Sequence, residues 1–157
     1  MSEVGRLLEQ ARRLNRVQQL QLAFLLSKSY DGRPREAIAE AWAADNLGMT
    51  LAQKGQSGVD GFLGNLPIQV KSKKELGQSK VSRCYVTLSS ATRETDNCHL
   101  LVVFIDYETG AVTRTVGPIH IKANLQPRQG GRYHIIDMIR AGAPVQEFDP
   151  FEKWAKY

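Results

Sequence analysis

The segment that most constrains the fold is Leu100–Tyr107, LLVVFIDY, whose first six residues are all apolar and mostly β-branched or aromatic. A strand turns successive side chains to opposite faces, so an apolar run without alternation has to be covered on both. It predicts a central, doubly buried strand, in keeping with an α/β fold. The run is too short to span a bilayer and no longer apolar stretch occurs in the chain. The start, MSEVGRLLEQARR, is charged and amphipathic and lacks the apolar stretch of an export signal. No membrane attachment is expected.

The helices needed to cover such a sheet come early. Val4, Leu7, Leu8, Ala11, Leu14 and Val17 recur at helical spacing, with Arg6, Arg12, Arg13 and Arg16 between them, and the pattern broadens into Leu20–Leu26. This predicts a long N-terminal helix or a helix pair, ended by the turn formers of Ser27–Arg33. Residues 1–30 are read as a helical arm and 31–157 as the main domain, within a length that suits one hydrophobic core. A second helix should begin at Pro34 and stop at Gly48, which can take the left-handed cap. Its sequence, REAIAEAWAADN, is mostly alanine with Ile38 and Trp42. Glu36 and Glu40, one turn apart on that helix, stand out because carboxylates rarely approach a core without a partner.

Further strands are expected at Met49–Gly55, at two segments around Gly64–Asn65, and at Cys84–Leu88. SSATRETDN has capping chemistry and predicts a short helix beside the sheet. Val112–Ile121 reads as an edge strand because Pro118 cannot donate to a ladder. Arg132–Arg140 reads as a last helix, and the chain beyond Gly142 as a tail wrapping the surface.

Charge narrows the partner. The chain carries 21 Lys and Arg against 16 Asp and Glu, a formal net charge of +5. An excess of this kind favours a polyanion, since clustered cations release condensed counterions from nucleic acid. Cys84 and Cys98 are the two cysteines, without CxxC or regular Cys/His spacing, which fits a cytoplasmic protein with free thiols.

The chemistry concentrates on Gly58–Lys74. With Gly64 and Asn65 as the central residues of a two-residue hairpin turn, Leu63 pairs with Leu66, Phe62 with Pro67 and Gly61 with Ile68. Asp60 then falls opposite Gln69, and Lys71 shares the face of Gln69 by the strand period of two. A carboxylate, an amide and an ammonium converge there, while Val59, Ile68 and Val70 form the opposite, apolar face. Asp60 offers hard oxygens suited to Mg²⁺ and Gln69 a neutral oxygen, and Lys71 can stabilise charge on an attacked phosphate. Ser72, Lys73, Lys74 and Lys80, with Gln78 and Ser79, are candidate phosphate contacts, which position a duplex without reading its sequence.

A Glu-bearing helix (GRPREAIAEAW), then SGVDGF, then IQVKSKK resembles the PD-(D/E)xK nuclease superfamily, the restriction-endonuclease-like fold of Holliday-junction resolvases and many restriction enzymes. The resemblance covers roughly residues 32–74 and extends loosely to LLVVFIDY. It implies a Mg²⁺- or Mn²⁺-dependent DNA endonuclease, with catalytic residues Asp60, Gln69, Lys71 and Glu36 or Glu40. It also implies a metal held by Asp60, Gln69, Val70 and Glu36. Glu36, four residues after Gly32, sits more as in the resolvases. Gln69 stands where the family usually has an acid, as it does in the QxK nuclease subunits of heteromeric transposases. The exchange removes one negative charge and weakens the expected metal site. Val59 replaces the usual Pro. Members are often dimers, and the apolar stripe of the N-terminal helix offers a surface for a homodimer. A non-catalytic nucleic-acid-binding module with the same fold is the alternative.

Other constellations carry less. His99, His120 and His134 show no metal-ligand spacing, and Gly130–Gly131 lacks the strand and helix of a phosphate loop.

Overall fold

The computed structural model describes residues 2–27, 34–53 and 58–148. Leu100–Ile105 becomes an interior strand, and the molecule is organised around it. In chain order the elements are α1 (Glu3–Arg12), α2 (Arg16–Leu26), α3 (Arg35–Leu47), β1 (Thr50–Leu51), β2 (Gly61–Leu63) and β3 (Leu66–Lys74). A 3-10 turn (Gln78–Arg83) leads to β4 (Tyr85–Thr87), α4 (Ser90–Glu94), β5 (His99–Ile105), β6 (Val112–His120) and α5 (Ile121–Asn124). The described part ends with β7 (Arg132–His134), α6 (Ile135–Arg140) and β8 (Val145–Glu147).

Six strands form one mixed sheet in the order β1-β2-β3-β5-β6-β8, and β4 pairs with β7 in a separate two-stranded sheet. β3 and β5 run parallel and every other pair in the large sheet is antiparallel. β5 supplies both layers of the core. Leu101, Val103 and Ile105 pack with Phe24, Ile38, Trp42, Ile68 and Val70 under α2 and α3. Leu100, Val102 and Phe104 pack on the other side with Val86, Tyr133, Ile135 and Met138. The absence of alternation in the sequence is thus the direct trace of two cores meeting on one strand.

The N-terminal periodicity resolves into two helices. Asn15 accepts from the Gln18 N–H at 2.9 Å while the Gln18 side chain accepts from the Asn15 N–H at 3.0 Å, a reciprocal cap that starts α2. α2 buries Phe24 and Gln21, whereas α1 buries no residue and exposes Val4, Leu7 and Leu8. α3 ends at Gly48 in the left-handed conformation, as expected.

Four expectations are corrected. β6 is interior, since β8 (Val145–Glu147), expected as surface tail, pairs along it. Pro118 is tolerated there because β8 covers only Arg114–Val116 and an irregularity in the β5 ladder between Val116 and Ile119 leaves Pro118 without a register partner, so no partner strand needs its missing N–H. The segment expected as one helix from Arg132 opens with a strand, because Tyr85–Thr87 offers Arg132–His134 a free edge. The strand at Met49 is only two residues long. Residues 28–33 of the first turn, 54–57 after β1 and the tail from 149 lie outside the described residues. No helix among the described residues is long and apolar enough to cross a membrane.

Candidate functional site

The β2–β3 hairpin takes the register expected from its turn, with Gly61 on Ile68, Phe62 on Pro67 and Leu63 on Leu66. Gly64 has φ 60°, as a turn with glycine at its first central position requires. Two glycines let the chain enter this hairpin through a narrow passage. A Cβ on Gly58, itself at φ 79°, would lie 2.8 Å from the Ala91 backbone of α4, and one on Gly61 2.7 Å from Met49 and the Thr50 carbonyl.

Asp60 does not sit squarely across from Gln69, because the ladder stops at Gly61. Its N–H donates to the Ile68 carbonyl at 2.9 Å, and its Oδ2 accepts from the Val70 N–H at 2.8 Å. One carboxylate oxygen therefore stands in for the absent strand partner of Val70. Burial pushes the Asp60 carboxyl above its ordinary range; the Val70 N–H and Lys71 pull against this, and the charge of Glu36 adds to it.

α3 brings two more carboxylates to the same region. Glu36 accepts from the Ser72 hydroxyl at 2.6 Å and from the Ser72 N–H at 3.3 Å, which ties the first turn of α3 to the middle of β3. Glu40 is half-buried one turn further on. Burial first, then the charges of Asp60 and Glu36, raise its carboxyl to about 7. Asp60, Glu36 and Glu40 thus feel one another, as only neighbouring charges in a partly desolvated site do.

Gln69 is buried on the opposite face of β3 from Ile68 and Val70. Its Oε1 accepts from the Thr92 hydroxyl at 3.4 Å and its Nε2 donates to the Val70 carbonyl at 3.5 Å, both long bonds. Among the described residues no three His, Cys, Asp or Glu side chains come close enough to hold a metal ion together. A cation here would rest on one or two carboxylates with amide and carbonyl oxygens and water, the usual arrangement for Mg²⁺.

The residues expected to meet phosphate separate. Lys73 Nζ lies 5.5 Å from the Tyr85 ring on one face of β3, and Lys74 Nζ 5.5 Å from the Tyr107 ring on the other. The strand period of two divides them between the two faces of β3. Ser72 faces α3 and donates both its groups to Glu36. Lys80 is exposed on the 3-10 turn, and the side chains of Gln78 and Ser79 lie outside those described.

Several residues around the site carry no sequence signal. Thr92 reaches Gln69 from α4, and Tyr85 on β4 gathers Lys73 and Arg132, whose guanidinium lies 4.6 Å from the ring. His99 and His120 meet edge to face, with ring centroids 5.0 Å apart and Asn97 bonded to both. Apart from the bond between Asn97 and His99, each contact joins separate elements of the chain. No known protein-family model matches this sequence and no curated protein is significantly similar to it, so the geometry and the resemblance of its motif stand alone.

Proposed function

We propose that this protein is a Mg²⁺- or Mn²⁺-dependent DNA endonuclease of the restriction-endonuclease-like fold, hydrolysing phosphodiester bonds. The observation that carries this reading is the coupling of charges between Asp60, at the hairpin, and Glu36 and Glu40 of α3, with Lys71 acting on Asp60, although among the described residues the three carboxylates do not close on a single point. A divalent cation is the charge that three mutually repelling carboxylates lack, and their hard oxygens suit Mg²⁺. Asp60 and Glu36, with the Gln69 amide and the Val70 carbonyl, would hold it. When bound, it would polarise a phosphoryl oxygen and lower the pKa of an attacking water. Lys71 stabilises the negative charge that develops on the phosphate. Gln69 gives up only its long bonds to Thr92 and Val70 when it turns to a ligand. The net charge of +5 supports a polyanionic substrate.

Cleavage of plasmid, linear and branched DNA with each metal tests the reading. Wild type should cut, and Asp60→Asn and Lys71→Ala should each lose about two orders of magnitude or more in rate. Activity that survives in both variants removes the mechanism. The bonds of Gln69 to Thr92 and Val70 favour one second reading, a binding module that keeps the fold without turnover. It predicts salt-sensitive DNA binding that neither EDTA nor Asp60→Asn changes.

A further inference from the structure

On the Gln69 face of β3 the contacts close into a ring. Gln69 meets Thr92 of α4 at 3.4 Å. The next residue, Arg93, reaches Gly131, where a Cβ would lie 4.0 Å from its Nη1. Arg132 follows Gly131 and lies over the Tyr85 ring at 4.6 Å, and Lys73 lies over the same ring at 5.5 Å. Lys73 returns the ring to β3, four residues from Gln69 and two from Lys71, so that Lys71 stands on the face the ring encloses.

The β4–β7 sheet is built to present these groups. Val86 and Tyr133 pair with each other and are buried in the core, so Tyr85, Thr87, Arg132 and His134 occupy the outer face. Two cations share one aromatic ring, an arrangement whose mutual repulsion the ring quadrupole only partly offsets. Among the described residues Lys73, Arg93 and Arg132 have no carboxylate within ion-pair distance. Arg93 and Arg132 are exposed. A set of neighbouring cations without carboxylate partners, two of them held over one aromatic ring, is a site for an extended anion.

We propose that Lys73, Tyr85, Arg132 and Arg93 grip the phosphodiester backbone of the DNA strand flanking the bond to be cut, and so position that strand over Lys71. This rests on the nuclease reading for its direction and on the ring itself for its existence. Tyr85 acts by holding the two cations in place. The backbone contacts are independent of base sequence.

The test is binding of a fluorescein-labelled DNA oligonucleotide to the full chain in EDTA, by anisotropy across a salt series. Lys73→Ala with Arg132→Ala should weaken binding about tenfold at 0.1 M salt and make the salt slope shallower by about 1 to 2. Arg6→Ala with Arg12→Ala, which removes the same charge from α1, should change neither. Tyr85→Phe should bind as wild type does and Tyr85→Leu should bind weakly. Arg132→Ala alone, at an exposed position, gives the same direction should the double variant fold poorly. Unchanged affinity and slope in the Lys73 and Arg132 variants overturns the proposal, as does an equal loss in the α1 variant. DNA bound through these residues by a protein that never cuts would refute the nuclease and keep the grip. Cutting with unchanged KM in the double variant would do the reverse.

Discussion

Replacing Glu40 by Gln should stabilise the metal-free protein at pH 8. Burial and the charges of Asp60 and Glu36 lift the Glu40 carboxyl from its ordinary value of 4.5 to about 7 in the folded chain. An acid with a raised folded pKa binds its proton more tightly folded than unfolded. Stability from this group is therefore full below pH 4.5, falls as pH rises towards 7 and stays low above. At about 1.4 kcal/mol per pH unit the whole interval would cost about 3.4 kcal/mol. Water reaching the half-buried carboxyl screens that to about 1–2 kcal/mol. Glutamine keeps the shape and removes the charge, so Glu40→Gln should gain about 1–2 kcal/mol at pH 8 and almost nothing at pH 4.5. Urea unfolding of both proteins in EDTA at a series of pH values measures this, and the wild-type minus variant difference cancels groups common to both. Saturating Mg²⁺ should narrow the gap, because a bound cation relieves the same repulsion. A variant less stable than wild type at pH 8, or a difference that does not change with pH, refutes the idea that burial and the neighbouring carboxylates penalise the charged form of Glu40.

Three further outcomes follow from the same geometry. Asp60→Asn keeps an acceptor for the Val70 N–H and should fold nearly as well as wild type, whereas Asp60→Ala orphans that donor and should cost about 1–3 kcal/mol by chemical denaturation. Gln69→Glu supplies the carboxylate that this site lacks: isothermal titration should show tighter Mg²⁺ binding, and the metal-free protein should melt at lower temperature at pH 8. Phe24→Ala opens a cavity in a fully buried position and should cost about 3–5 kcal/mol, while removal of residues 2–13, which include all of α1, should cost far less because α1 buries nothing.

The hairpin shows how much of a site local rules can specify. A Gly-Asn turn fixes register, and register fixes which residues share a face, so Gln69 and Lys71 opposite Ile68 and Val70 could be derived from spacing alone. The same rule failed one residue beyond the ladder, at Asp60, where the neighbouring α4 and β1 decide the path of the chain through Gly58 and Gly61. Pro118 was misleading for a similar reason. Its lack of an N–H limits a strand only where a partner would use that N–H, and the extent of β8 is a tertiary fact.

By itself the sequence determined the elements whose cause is local. The two-sided apolar run made β5 central, glycine at 48 ended α3, and Ser89 started α4. These follow from periodicity and capping, which act over a few residues. Only the tertiary structure decided what meets what: Glu36 on Ser72, Glu40 charged against Asp60, Thr92 on Gln69, and Lys73 with Arg132 over Tyr85. Those contacts join residues tens of positions apart, and they depend on how two layers pack over one sheet, so no short stretch of sequence contains them.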